Sequence, residues 1–441
     1  MTDATTHGPD RRTVLKGAAA GALTAGALAA GAGLELATPA YALTASGLPK
    51  DPDDSGIDHI VVVMMENRSF DHFLGWLEGA DGRQAGLRYP KPGGGTRATW
   101  HLDTWQGLDY ADPDHSYDGG RSEYHGGKCD GWLLTESNDE FAVGYYTQKD
   151  LAFFGKAAPH WTVCDRFFSS IMSSTYPNRF YMHAAQTDRI DNDMTISSLP
   201  TIWDRLAEAG VSHRYYFSDI PLTALWGAKH LAISGLTAEF LLAARLGTLP
   251  AVSFIDPRFL GEDGGYSGDD HPHADIRVGQ HFLNRIYHAV TTGPAWRRTA
   301  LVITYDEWGG FFDHVRPTTA PDPVPAHALR GFRIPTVVIS PRARRRHVAH
   351  AVYDHTSILK MIEWRFGLRP LTVRDQHARN LAEVLDFAQA PDLTAPQYDV
   401  PAPHTLVPQP KNAVGTPLAT DHEEDWIQLR KLALRHGFTL G

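Results

Sequence analysis

Short apolar runs alternate with helix-like patterns along most of the chain, which predicts an α/β protein built on a mainly parallel sheet. The clearest run is 60–65 (IVVVMM), which is rich in β-branched residues. A run without polar residues is typical of a strand buried on both faces. Further strands are predicted at 211–217, 251–255, 299–305 and 334–340, and helices at 70–77, 201–210, 222–246 for the most part, 275–290, 358–366 and 423–436.

Acidic and amide side chains directly follow two of the predicted strands. Glu66 and Asn67 come after the first strand, and Asp306 and Glu307 come after the strand at 299–305. Because the carboxyl ends of parallel strands share one edge of a sheet, these side chains are expected to meet there. Neighbouring carboxylates repel one another, and a divalent cation is the usual remedy. Salt bridges to a base such as Arg316 are the alternative.

Hydroxyl and amide side chains also stand where helices are predicted to begin. Thr175 lies just upstream of Pro177, which fits the first turn of a helix. A hydroxyl there faces the positive end of the helix dipole, which favours an alkoxide and nearby phosphate oxygens. Simple helix capping is the alternative for Thr175, and equally for Asn67, Ser69 and Asp71 before the helix at 70–77.

Two loops present histidines among acidic residues. His115 lies in the turn DPDHS, within a long irregular stretch over 79–131, and His271 lies in the loop over 261–275 (DDHPH). Long irregular loops of compact domains often carry functional residues. These histidines could contact a metal or a phosphate, or they could be solvated surface groups.

Composition narrows the class of protein and of partner. The chain is 42% hydrophobic and 21% charged, as in ordinary globular proteins, and its formal charge of -10 argues against a nucleic-acid partner. Its two cysteines, Cys129 and Cys164, could form a disulfide in an oxidising compartment, and pairing is favoured over two free thiols. No Cys/His spacing indicates a zinc cluster.

The N-terminus has the pattern of an export signal. Arg11 and Arg12 precede an uncharged stretch over 17–34, and Ala40-Tyr41-Ala42 supplies small residues for cleavage. This pattern is similar to a twin-arginine signal cleaved near Ala42, which predicts a secreted or periplasmic protein; a membrane anchor is the alternative. The expected organisation is a signal at 1–42, a linker at 43–56, a catalytic domain at 57–388 and a C-terminal extension at 389–441 packed on that domain.

Five sequence blocks together resemble one known family. They are ENRSFDHFLG at 66–75, STYPNRFY at 174–181, DDHP at 269–272, ITYDEWGGFFDHV at 303–315 and DHTSILKMIEWRFGLR at 354–369. In this order they resemble the phosphoesterase family, which contains non-specific phospholipases C and secreted acid phosphatases. The resemblance implies a three-layer α/β/α alkaline-phosphatase-like fold, with a mainly parallel central sheet and long loop insertions.

The resemblance also implies a set of site residues. One divalent metal ion, which could be Ca, Mg, Mn, Fe or Zn, would be held by Glu66, Asn67, Thr175, Asp306 and Glu307. The catalytic group would be Thr175 as nucleophile with His115 and His271 near the phosphoryl group, and His314 as a weaker candidate. Trp308 stands where the family usually has a histidine, so any phosphate contact from that position should be absent.

The function expected from these features is a secreted, metal-dependent phosphoesterase. The first hypothesis is a phospholipase C that acts on glycerophospholipids through a phosphothreonine intermediate. A broad-specificity acid phosphatase is the alternative, followed by a binding protein without catalysis; no G-x-S-x-G motif supports a serine hydrolase. Expected partners are a phospholipid or small phosphate ester, the twin-arginine export machinery and, transiently, a membrane surface.

Overall fold

The structure is a computed structural model that describes residues 42–135, 137–262, 264–403 and 421–441, without the side chains of 421 and 422. Except for Ala42, the predicted export signal lies outside these residues, as does the part of the predicted C-terminal extension over 404–420. The described residues belong to one compact unit. Among the described residues, no helix is both long and apolar enough to span a membrane.

The described residues form a central sheet of eight strands, with shorter pairs around it. In chain order the strands are β1 (His59–Met65), β2 (Arg88–Pro90), β3 (Thr96–Ala98), β4 (Trp100–His101), β5 (Gly144–Tyr145), β6 (Thr162–Cys164), β7 (Phe167–Phe168), β8 (His213–Phe217), β9 (Ser234–Leu236), β10 (Val252–Ile255), β11 (Thr299–Tyr305), β12 (Val337–Ile339), β13 (His347–Ala349) and β14 (Tyr353–Asp354). The order in the central sheet is β13-β6-β12-β11-β1-β10-β8-β9. Among the described strands of this central sheet, only β12 runs antiparallel to its neighbours.

Helices accompany this sheet. They are α1 (Phe70–Leu74), α2 (Tyr117–Tyr124), α3 (Phe154–Ala157), α4 (Thr175–Ala184), α5 (Ile202–Glu208), α6 (Thr237–Leu246), α7 (Ile276–Thr292), α8 (His355–Phe366), α9 (Val373–Gln376) and α10 (Asp421–Arg435). Helix α4 packs against α8, and α6 packs against α7. The predicted α/β class with a mainly parallel central sheet is confirmed.

The pattern of apolar residues located most elements well. Strand β11 has the predicted bounds, and β1 is fully apolar and buried after its first residue. The prediction for 222–246 was wrong in part: two 3₁₀ turns and strand β9 precede α6. Gly227 and Gly235 interrupt the helical pattern there, and β9 pairs with β8 at the sheet edge.

The predicted disulfide is contradicted. Cys129 and Cys164 are both free and buried. They pack in different hydrophobic clusters, Cys164 in the main core around the sheet and Cys129 beside Trp132 and Trp308. A chain of this size has enough buried apolar surface to be stable without a cross-link.

Candidate active site

The parallel pairing of β1 with β11 brings their polar ends together. Met65 lies opposite Tyr305, so the next residues of the two strands meet at the same sheet edge. The backbone N–H of Asn67 donates to Asp306 Oδ1 at 3.1 Å. Asn67 has a φ of 58°, in the left-handed region that asparagine tolerates better than most residues. This turn directs the chain into α1, and Ser69 caps that helix through the N–H of His72.

A glycine allows the loop after Glu307 to pass close to the first strand. A side chain at Gly309 would overlap the backbone carbonyl of Asn67, and its φ of 66° also favours glycine. The N–H of Gly309 donates to Glu307 Oε2 at 2.7 Å, and the other carboxylate oxygen, Oε1, takes no part in this hydrogen bond. The glycine therefore fixes the carboxylate of Glu307 beside Asn67.

The hydroxyl of Thr175 faces the same cluster. Thr175 is the first residue of α4, and its Oγ1 donates to Glu66 Oε2 at 3.0 Å. The N-cap residue is Ser174, whose side chain makes no capping bond. Thr175 is not the N-cap residue, and its hydroxyl donates to Glu66. Helix capping therefore does not explain the hydroxyl at this position.

The two loop histidines also come together at this edge. His115 Nε2 lies 3.2 Å from Asn67 Nδ2 and 4.0 Å from Glu307 Oε1. The ring centroids of His115 and His271 are 6.1 Å apart. His271 lies between two carboxylates, with Asp112 Oδ2 at 3.5 Å from Nε2 and Glu262 Oε2 at 3.7 Å from Nδ1. Both histidines are buried, so they are not solvated surface groups.

Arg179 is the main site residue that sequence reasoning missed. It lies one helical turn after Thr175, and it forms ion pairs with Glu66, with Asp256 at 2.8 Å and with Asp306 at 3.6 Å. Asp256 directly follows β10, the other neighbour of β1. The pattern of a strand followed by an acid, which located Glu66 and Asp306, also applies to Asp256 and could have found it.

Burial makes the charges of this cluster interact strongly. Burial, opposed by Arg179 and reinforced by Asp306, raises the pKa of Glu66 well above its usual value. Burial and the neighbouring Asp306 likewise raise the pKa of Glu307. Although burial disfavours its charge, the surrounding carboxylates hold the pKa of Arg179 above its ordinary value. One guanidinium therefore faces an excess of negative charge in a region shielded from water.

The donor set fits a divalent cation. Three buried oxygen atoms accept no hydrogen bond from the described residues: Asn67 Oδ1, Asp306 Oδ2 and Glu307 Oε1. A buried acceptor without a donor is costly, and a cation bound to these oxygens would satisfy them and relieve the repulsion between the acids. Carboxylate, amide and hydroxyl oxygens are ligands suited to hard cations.

His314 contacts a different set of residues. Its Nδ1 lies 2.5 Å from Asp71 Oδ2, and its Nε2 lies 3.1 Å from Asp81 Oδ1. Asp71, Asp313 and His314 have ligand atoms within 4.8 Å of one another, a spacing compatible with a metal. However, Arg333 donates to both acids, at 3.1 and 2.9 Å, and together with a protonated His314 it can balance their two negative charges without a metal. The structure thus places His314 in an ion-pair network and not beside Thr175.

Trp308 occupies the position after the acidic pair. Its side chain is fully buried, and its Nε1 donates to Glu123 Oε2 at 2.7 Å. The ring also packs against Phe332, with centroids 5.4 Å apart. The indole thus takes part in a hydrophobic cluster and in a hydrogen bond with a buried acid.

Comparison with known proteins places this arrangement in context. The model of the Phosphoesterase family matches residues 57–369. The chain is 30% identical to Phospholipase C B of Mycobacterium tuberculosis, over 90% of this chain and 91% of that protein. It is 32% identical to Non-specific phospholipase C1 of Arabidopsis thaliana, over 77% and 73% of the two chains.

Solved structures give a much weaker likeness. A protein of the alkaline phosphatase superfamily from Vibrio parahaemolyticus has a TM-score of 0.33 and 10% identity, and the match covers 74% of this chain and 70% of that chain. The lipoteichoic acid synthase LtaP from Listeria monocytogenes has a TM-score of 0.37 and 9% identity, with 91% and 98% covered. Values this low carry no conclusion about activity.

Proposed function

Because this chain belongs to the phosphoesterase family and is a hydrolase of phosphoric esters, we propose that it is a metal-dependent phospholipase C that acts on glycerophospholipids. The observation that carries the proposal is the hydroxyl of Thr175, which is buried and donates to Glu66, in a cluster that holds three oxygens without a hydrogen-bond donor among the described residues. The relatives named phospholipase C match most of this chain, which supports the choice of substrate.

The residues of the cluster have distinct tasks in this proposal. Thr175 Oγ attacks phosphorus and its proton passes to Glu66, which already accepts the hydrogen bond. Arg179 stabilises the negative charge that Glu66 and Asp306 concentrate around the hydroxyl. A histidine, His115 or His271, gives a proton to the leaving oxygen. Water then hydrolyses the phosphothreonine intermediate at the bond between phosphorus and Thr175 Oγ and releases the phosphorylated head group.

Glu66, Asn67, Thr175, Asp306 and Glu307 would hold the metal ion. A bound divalent cation would lower the pKa of the hydroxyl and neutralise charge on phosphoryl oxygens. We expect metal analysis of the purified protein to find about one divalent ion per chain, and the Asp306→Asn variant to lose it. Ion content unchanged in that variant would contradict this ligand set.

Removal of the nucleophile gives the direct test of the site. Thr175→Ala should abolish hydrolysis of phosphatidylcholine while the melting temperature falls only modestly, because a single hydrogen bond is lost. Ser174→Ala is the matched control, since the adjacent hydroxyl makes no capping bond, and it should keep its activity. Full activity in Thr175→Ala would refute the assignment, and an inactive, metal-free wild-type protein would favour a binding protein.

A broad-specificity acid phosphatase is the second candidate, because the same nucleophile and cation could act on phosphate monoesters. The two functions differ in the product released from the substrate. A phospholipase C releases diacylglycerol from a phospholipid, whereas a phosphatase releases inorganic phosphate from an aryl monoester. We expect the first activity to dominate in kcat/KM; the reverse ratio would identify a phosphatase.

Export through the twin-arginine route belongs to the same proposal. The arginine pair and the small residues ending at Ala42 support it. Expression in a bacterium with and without a functional twin-arginine system should give mature protein outside the cytoplasm only in the first case. The mature chain should begin close to residue 43. Export that persists when both Arg11 and Arg12 are replaced by lysine would contradict this route.

Transient contact with a membrane surface is the last element of the proposal. Trp105 and Tyr266 are 44% and 45% exposed, and they lie on the same loops as His115 and His271. Exposed aromatic rings are suited to the interface between lipid and water. Trp105→Ser with Tyr266→Ser should weaken sedimentation with phosphatidylcholine vesicles, whereas Leu434→Ser on α10, which is 49% exposed, should not. Equal binding by both variants would contradict this surface.

A further inference from the structure

The C-terminal helix α10 contacts the loop that carries His271. Trp426 Nε1 donates to Glu262 Oε1 at 2.7 Å. The indole ring stacks on Phe259 with centroids 4.0 Å apart and planes 7° apart. Glu262 is fully buried, so the indole N–H holds a carboxyl group that water does not reach. The indole thus fixes the position of the Glu262 side chain from outside the strand ends that form the rest of the site.

The other oxygen of Glu262 faces the histidine. Glu262 Oε2 lies 3.7 Å from His271 Nδ1, and the Glu262 side chain also interacts with the carboxyl group of Asp269. The backbone of His271 is itself held, because its N–H donates to Asp269 Oδ1 at 3.0 Å and its carbonyl accepts from Arg68 at 3.0 Å. With the backbone fixed, the remaining freedom of His271 is rotation of its ring.

The two carboxyl groups that flank the His271 ring differ in their exposure to solvent. The Glu262 side chain at Nδ1 has no exposed surface, whereas the Asp112 side chain at Nε2 is 10% exposed. A ring whose Nδ1–H points to Glu262 presents Nε2 on the more open side. A carboxylate on the Nδ1 side can orient a catalytic imidazole once the ring turns to donate a hydrogen bond to it.

Helix α10 also touches the start of α4. The Tyr176 hydroxyl donates to the carbonyl of Asp425 at 3.3 Å. Asn192 Nδ2 donates to Asp425 Oδ2 at 3.1 Å, and Asn192 Oδ1 accepts from the backbone N–H of Tyr176 at 2.9 Å. One turn of α10 therefore contacts both the neighbour of Thr175 and the carboxylate beside His271.

We propose that Glu262, held by Trp426, is a positioning residue that orients His271 to protonate the leaving oxygen. The inference rests on the proposed function. As the bond from phosphorus to the leaving oxygen breaks, the His271 Nε2 proton moves to that oxygen and phosphorus becomes bonded to Thr175 Oγ. In the second step, the attacking water bonds to phosphorus and gives its proton to Nε2, while the bond from phosphorus to Thr175 Oγ breaks and Oγ recovers its proton from Glu66.

Leaving groups of different basicity test this role. The alkoxide of diacylglycerol needs a proton as it leaves, whereas p-nitrophenolate is stable without one. Positioned general acids contribute about 10²–10⁴-fold. Glu262→Gln should therefore lower kcat/KM for phosphatidylcholine by about tenfold or more, and kcat/KM for p-nitrophenylphosphorylcholine by much less. Trp426→Phe keeps the stacked ring but removes the N–H, so it should show the same selectivity with a smaller loss.

Leu429→Ala is the control for loosening of the helix. Leu429 is fully buried in the core on α10, so the variant should lower the melting temperature without separating the two substrates. Equal loss on both substrates in Glu262→Gln and Trp426→Phe, or no loss on either, would overturn the inference. A wild-type protein that cleaves neither substrate would refute the proposed function, and the inference with it.

Discussion

Replacement of Arg179 by glutamine tests the ion network behind Thr175. The guanidinium is fully buried and faces three carboxylates, from Glu66, Asp256 and Asp306. Loss of one partner of a buried ion pair strands its charge, which typically costs about 3–5 kcal/mol. At roughly 2 °C per kcal/mol for a large domain, the melting temperature should fall by about 6–10 °C.

Calorimetry of matched variants provides the assay. Arg369→Gln is the control, because its pair with Glu208 at 3.1 Å is 70% and 52% exposed and exposed pairs contribute about 0–1 kcal/mol. Magnesium or calcium should restore part of the stability of Arg179→Gln, since a cation can neutralise the stranded carboxylates. A decrease no larger than that of Arg369→Gln would refute the network.

Three further predictions concern pH and redox state. Burial, reinforced by Asp375, raises the pKa of Glu363 to about 10, so above about pH 4.3 the folded state must retain a proton that the unfolded state loses. Glu363→Gln should therefore raise the melting temperature at pH 8 but change it little at pH 4. An equal gain at both pH values would contradict this prediction. Burial lowers the pKa of His314, but the hydrogen bond and charge of Asp71 outweigh burial and raise it. The contribution of protonated His314 to the stability of the fold should therefore be complete below about pH 6.5 and lost as the pH rises through the raised pKa. His314→Gln should lower the melting temperature more at pH 5.5 than at pH 9. Because neither cysteine is paired, a reductant should leave the melting temperature unchanged.

The sequence indicated the centre of the site because its geometry follows from strand pairing. Two apolar strands ending in Glu66-Asn67 and Asp306-Glu307 must place these residues at one edge if the strands are parallel neighbours, as β1 and β11 are. The helix start at Thr175 was visible from Pro177. Local patterns of this kind need no knowledge of the remaining chain.

Contacts between distant segments could not be predicted in this way. Arg179 pairs with Asp256 only because β10 is the second neighbour of β1, a strand order that no local pattern specifies. Trp426 and Glu262 are 164 residues apart, and their contact depends on where α10 docks. His314 lies in a matching sequence block, yet Arg333 and Asp71 draw it into an ion network.

The covalent state of Thr175 during turnover is the most direct test of the central claim. Acid quench of the enzyme with saturating phosphatidylcholine, followed by peptide mass spectrometry, should find phosphorylcholine on Thr175 in the wild type. The Ser174→Ala variant should show the same modification, and Thr175→Ala should show none. Rapid turnover without phosphorylcholine on Thr175 at any quench time, or with phosphorylcholine on another residue, would contradict the account.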